Sequence, residues 1–244
     1  MRRVRFTSLK WMAVSPLHYK NALENPFDPT PAMDFGTLVH EIVLGGDGFV
    51  VWPGDRRAGK EWDTFKAANQ GKLIVKRDEF ARAEQAALAV LANPDAARLV
   101  RESQRERSWE AIVFGREARG RIDMSGSDTA ELKVTPMVDP IRFQRHAMRM
   151  GWHSQVAWYQ EARRMMGEDP GRGLVIAVEP KPPHAVTVFR FGARALEEGL
   201  RQCRLWVERL NQCEAADHWP AYSESIVEID IAESVEMDLE GEAA

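Results

Sequence analysis

The sequence predicts an α/β domain, a small central mixed β-sheet with helices packed on it. Three observations predict it. Short, partly alternating runs separated by Gly and Ser turns cluster between residues 108 and 135. Two more such runs fall between 173 and 191. Stretches with apolar residues at helical spacing precede, separate and follow them, so the order reads helix, three strands, helix, two strands, helix.

The elements follow in chain order. "NPFDPTPAM" (Asn25–Met33), with three prolines in nine residues, reads as an extended loop. It leads into "DFGTLVHEIVLG", where Leu38, Val39, Ile42 and Val43 recur at helical spacing and Gly45-Gly46 marks the stop. "DEFARAEQAALAVLA" (Asp78–Ala92) reads as a helix with an acidic start. "NPDAARLV" restarts as another, with Asn93 as cap and Pro94 in the first turn. "SWEAIVFG", "RGRIDM" and "TAELKVT" read as strands, and one long helix is expected from Pro140 to Met166. "GLVIAVE" and "AVTVFRF" complete the sheet. A last helix from Ala193 to Asp217 carries Leu196, Leu200, Cys203, Val207 and Leu210 as a buried stripe.

Composition narrows the function classes. At 244 residues, 44% hydrophobic and 29% charged, the chain reads as an ordinary globular protein. One domain is expected over 1–222, an N-terminal helical part (1–105) and a catalytic core (106–222), followed by an acidic segment (223–244). No apolar run reaches the roughly 18 residues of a membrane span. The basic start "MRRVRFTSLKWMAVSP" lacks the apolar core of a secretion signal. Cys203 and Cys213, inside a predicted helix, suit neither a metal cluster nor a disulfide staple, so a cytoplasmic, reducing compartment fits best. The net charge of −4 is unevenly spread: eight acidic and no basic residues follow Ser223, leaving +4 on the rest. A mildly basic body permits a nucleic-acid partner, and the acidic end reads as a solvated tail.

Three charges in strand-like runs raise the chemical question: Asp123, Glu131 and Lys133. Alternation puts Glu131 and Lys133 on one face and Leu132 on the other, toward the core. A Gly126-Ser127-Asp128 loop would set Asp123 directly opposite Glu131, with Cβ atoms about 4.5–5.5 Å apart. Carboxylates that close repel, and a divalent cation such as Mg²⁺, with Mn²⁺ as substitute, resolves the conflict. Lys133, one pleat along, could hold an activated water or stabilise phosphate charge. A surface hairpin whose charges simply face water remains the plain alternative.

Asp123, seven residues, then Glu131-Leu132-Lys133 resembles the core of the PD-(D/E)XK nuclease superfamily. "QVAWY", with Gln155 and Tyr159 four apart, is similar to the Q-x-x-x-Y helix of its RecB-like branch, as is His40 in "GTLVHE". "SLKWMAVSPLHYKNALENP" followed by "AMDFGTLVHEIVLG" resembles the catalytic domain of the RecE-type exodeoxyribonuclease VIII family, and the likeness runs from Thr7 to Phe191. The superfamily's proline before the aspartate is absent, since Asp123 follows Ile122.

The resemblance implies a restriction-endonuclease-like fold and these roles. His40, Asp123 and Glu131 would ligate Mg²⁺, with the Leu132 carbonyl as a further oxygen. Lys133 would position the attacking water. Gln155 and Tyr159 would support the site and contact the DNA backbone. It also implies 5′→3′ digestion of double-stranded DNA ends, leaving 3′ single-stranded tails for a single-strand annealing partner in recombination, and a ring-shaped homo-oligomer. From the residues themselves, Glu110 is a further acidic candidate. Arg142, Arg145 and Arg149 form a basic stripe for phosphate contact, against which stands a solvated helix face. Trp11, Trp52, Trp62 and Trp152 read mostly as packing, and His146 and His153 as structural.

Two other readings stay open: a structure-specific endonuclease of the same fold, and a non-catalytic DNA-end-binding module. Iron–sulfur relatives are disfavoured, because two cysteines cannot supply four ligands.

Overall fold

The computed structural model describes residues 3–25, 28–223 and 225–229. The acidic segment expected as a solvated tail lies mostly outside them, at Glu224 and from Asp230 onward.

The chain begins with a short α1 (Phe6–Leu9) continued by a 3-10 turn (Lys10–Ala13), then α2 (Pro16–Glu24) and α3 (Pro31–Leu44). Next come β1 (Phe49–Val51), α4 (Lys60–Ala68), β2 (Leu73–Val75), α5 (Arg77–Ala92) and α6 (Pro94–Glu102). The central strands are β3 (Gln104–Val113), β4 (Arg116–Ser125) and β5 (Thr129–Val134). Helices α7 (Pro140–Arg149) and α8 (Trp152–Met165) precede β6 (Gly173–Val178) and β7 (Val186–Arg190), and α9 (Ala193–Ala216) follows.

Four helices start on one local device, a capping side chain followed by proline. Ser15, Thr30, Asn93 and Asp139 accept from the N–H of His18, Met33, Ala96 and Arg142, and Pro16, Pro31, Pro94 and Pro140 open the first turns. Proline has no N–H to leave unsatisfied there. This corrects the extended loop expected through Met33, whose last three residues are already helical.

The five-stranded sheet runs β3-β4-β5-β6-β7 and is mixed: β5 and β6 pair in parallel, the other neighbours antiparallel. Leu132, Leu174, Ile176 and Val178 point into an apolar cluster with α3, α5 and α6. Val175 and Ala177 alternate with them and point into a cluster with α7 and α8. A third cluster joins the N-terminal helices, β3, β4, α8 and α9 around the fully buried Trp158. Cys203 and Cys213 are buried in α9 as free thiols.

The expected long helix 140–166 is two helices. Gly151 adopts φ +70° and donates its N–H to the Met148 carbonyl, a left-handed stop that glycine takes without a Cβ penalty. The basic stripe on α7 and the Gln155-Tyr159 pair on α8 therefore do not share one helical face. Sequence reading also passed over residues 49–75, where β1 and β2 pair in parallel and Trp52 packs edge-on against Trp62 and Phe65.

Candidate active site

The turn between β4 and β5 sets the site. Ser125 pairs with Thr129 and Met124 with Ala130, so the next residues in register are Asp123 and Glu131, as the three-residue turn predicts. The ladder ends there, and side chains replace it. Asp123 Oδ2 accepts the Leu132 N–H at 2.9 Å, and Glu131 Oε1 accepts the Asp123 N–H at 3.4 Å.

β3 adds a residue that sequence reading missed. Arg105 opposes Met124 and Arg107 opposes Ile122, so Glu106 stands across from Asp123. Glu106, Asp123 and Glu131 thus form one cross-strand row over three neighbouring strands. Glu106 has φ +53°, unusual for a non-glycine residue within a strand. The alternating charges of "QRERSWE" carry no signal for this placement. Glu110, the acid proposed from sequence, lines the same cleft as Asp123 and Glu131 but stays outside the row, exposed and paired with Arg3.

His40 comes from α3, whose Leu38, Val39 and Val43 share a cluster with Leu132. Its Nδ1 lies 3.5 Å from Asp123 Oδ2, and its ring also bonds the Leu132 backbone. One potential ligand atom each from His40, Glu106 and Asp123 lie within 4.8 Å of one another. Glu131 is not a member of that trio. Its Oε2 receives Lys133 Nζ at 2.9 Å and Gln155 Nε2 at 2.8 Å, and Gln155 Nε2 also lies 3.3 Å from Tyr159 Oη. The structure therefore brings together all the core residues singled out from sequence: His40, Asp123, Glu131, Leu132, Lys133, Gln155 and Tyr159.

Electrostatics follow from this crowding. Burial, then the neighbouring Asp123, push the Glu131 carboxyl up to about 8, against the pull of Lys133. Burial is also the main cause that raises Glu106. Burial opposes the charge on Lys133, but Glu131 and Asp123 outweigh it and hold its pKa above the usual lysine value. Burial pushes His40 down despite Asp123, so its imidazole is neutral at pH 7 with a lone pair to offer. A neutral imidazole beside carboxylates that burial drives toward the protonated form fits a hard divalent cation, whose charge would relieve the crowding.

Asp123 and Glu131 of this row line a cleft of about 820 Å³, with Lys133 and Gln155 also on its walls; Glu106 and His40 do not line it. Arg5, Arg119 and Arg121 line it too, and Arg121 pairs with Glu106 at 2.6 Å. The stripe expected to contact DNA lies elsewhere. Arg142, Arg145 and Arg149 are exposed on α7 and do not line the cleft; Arg142 pairs with Asp139, and Arg149 Nη2 lies 3.4 Å from His146 Nδ1.

Comparison with known proteins places this geometry. The crystal structure of a protein from Eubacterium rectale, provisionally described as an exonuclease, superposes with a TM-score of 0.65 at 15% identity, covering 97% of this chain and 92% of that one. That likeness establishes the fold. No curated protein matches. Residues 6–230 match the family model described as a PDDEXK-like domain of unknown function (DUF3799). With that match spanning nearly the whole chain, and the D…ExK residues gathered on β4 and β5, the protein belongs to this PDDEXK-like family.

Proposed function

We propose that the protein is a divalent-metal-dependent nuclease that degrades double-stranded DNA from its ends. The observation that carries this reading is the Glu106-Asp123-Glu131 row, with His40 at one side and Lys133 on the same face, and with Asp123, Glu131 and Lys133 on the wall of a cleft. Family membership supports the nuclease chemistry. The sequence resemblance to RecE-type exonucleases supports the finer reading: 5′→3′ polarity, 3′ tails passed to a single-strand annealing protein, and a ring of several copies.

His40, Glu106 and Asp123 would hold the cation, Mg²⁺ or Mn²⁺, with Glu131 and the Leu132 carbonyl beside them. Bound there, it would supply Lewis-acid stabilisation of phosphate charge and an acidified water. The chain does the rest. Lys133 is held charged by Glu131 and donates hydrogen bonds that orient the attacking water or the non-bridging phosphate oxygens. Gln155 fixes the Glu131 carboxylate from the α8 side, and Tyr159 buttresses Gln155. Arg142, Arg145 and Arg149 remain candidates for the flanking duplex, away from the cleft.

The deciding experiment incubates the protein with a labelled linear duplex and a covalently closed circle, with Mg²⁺ or with chelator. Magnesium-dependent loss of the 5′-labelled strand from the linear DNA alone is expected, and Asp123→Asn and Lys133→Ala should abolish it. Cutting of the circle would replace the exonuclease with an endonuclease. Retained activity in either variant would refute the site.

A further inference from the structure

We infer that Arg5 and Arg119 bind the phosphodiester backbone of the substrate strand, on a path running from the acidic row into a second cleft. The inference rests on the nuclease reading and names where the strand goes.

The N-terminal segment is built into the sheet next to the site. Val4 forms a parallel bridge with Ala118: its N–H bonds the Glu117 carbonyl at 2.9 Å, and its carbonyl accepts the Arg119 N–H at 2.9 Å. This bridge fixes the following residue, Arg5, on the wall of the cleft. On β4, Asp123, Arg121 and Arg119 alternate onto one face at intervals of about 6.6 Å. A strand engaged at Asp123 therefore meets Arg121 and then Arg119.

Beyond Arg119 lies a second cleft of about 350 Å³. Arg5 and Arg119 line both clefts, so they stand where the two meet. The other cations lining these two clefts are committed: Arg121 to Glu106, Arg3 to Glu110 and Glu117, Lys133 to Glu131. Among the described residues Arg5 and Arg119 have no ion pair or hydrogen bond through their side chains. Glu110 faces Arg119 in register, yet it turns to Arg3 instead. Two uncommitted guanidiniums between two clefts, beside a phosphodiester-cleaving row, suit successive phosphates. Because neither side chain supports the fold, their removal should leave the structure intact.

The test measures binding of a labelled oligonucleotide, with hydroxyls at both ends, across a salt series. Calcium replaces magnesium, and gels confirm that nothing is cut. Removing both arginines (Arg5→Gln with Arg119→Gln) should make the slope of log affinity against log salt shallower by about 1.4 for a single strand. The lysine pair (Arg5→Lys with Arg119→Lys) should restore most of it. An unchanged slope in the glutamine pair, with wild-type cleavage intact in magnesium, overturns this inference and leaves the nuclease reading standing. A wild type that cuts nothing, yet loses slope on substitution, keeps the phosphate path and removes the nuclease reading. No binding by the wild type, together with no cleavage in magnesium, removes both.

Discussion

At the scale of single residues, the candidate site is held by hydrogen bonds between its own side chains. Gln155 donates to the Glu131 oxygen that also receives Lys133, so one amide sets the carboxylate's rotamer. Gln155→Leu should lower metal-dependent cleavage about 10–100-fold, the usual cost of losing a partner that orients a ligand. Tyr159→Phe should cost much less, because among the described residues its hydroxyl reaches only Gln155, at 3.3 Å. Rate assays on both variants check this, and equal losses would refute the hierarchy. Alternation on a strand put Glu131 and Lys133 on one face, whereas the roles of Gln155 and Tyr159 were implied by the resemblance to the Q-x-x-x-Y helix, their four-residue spacing adding only a shared helical face. Glu106 was not legible. It reaches the site through strand pairing with β4 and a left-handed backbone, neither of which leaves a local pattern.

At the scale of elements, the β4-β5 turn is clasped from α8. The buried Arg163 guanidinium donates to the carbonyls of Gly126, Asp128, Asp169 and Pro170, to Thr129 Oγ1 and to Glu168. Arg163→Leu would strand these acceptors and should cost about 3–5 kcal/mol, read by denaturant unfolding. Gly171 closes the clasp: at φ +61° a Cβ there would lie 1.7 Å from the Ser127 carbonyl oxygen. Gly171→Ala should cost about 1–3 kcal/mol and loosen the hairpin that sets Asp123 against Glu131. Glu168 joins β3 to this clasp, and its bonds to Arg107 and Arg163 pull its carboxyl down to about 2. A depressed carboxylate stabilises the fold fully above its unfolded value of about 4.3 and loses that stabilisation as pH falls toward 2. Wild type should therefore lose stability more steeply between pH 4.5 and 2 than Glu168→Gln; parallel curves would exclude the linkage. The turn length was readable from glycine and serine. The clasp was not, because Arg163 lies 35 residues beyond Asp128 in the chain.

At the scale of the whole molecule, cation binding should stabilise a chain whose acids are crowded without it. At about 100 times its dissociation constant, Mn²⁺ would add about 2.7 kcal/mol. For a domain of this size that raises Tm by about 5–10 °C. Thermal scans should show the rise in wild type and not in Asp123→Asn, and a rise in both would move the binding site. The order of helices and strands from α5 onward was legible, since these segments are long and periodic, save that α7 and α8 read as one helix. Residues 49–75 were not, because three-residue strands carry too few alternations to stand out. Nor was the meeting of the N-terminal segment with β4, a contact across more than 100 residues of chain.

The Leu132 amide deserves a spectroscopist's interest. Where the β4-β5 ladder ends, its N–H is satisfied by the carboxylate oxygen of Asp123 that also faces His40. A single backbone resonance therefore reports on the candidate metal site. Cation arrival that polarises or rotates that carboxylate should shift the Leu132 amide signal and change its hydrogen exchange, before any DNA is present. Asp123→Ala would silence the reporter and leave the amide without its partner, mixing lost chemistry with a damaged sheet edge. Asp123→Asn keeps an oxygen there, so the amide stays partnered while its signal should no longer move when the cation is added.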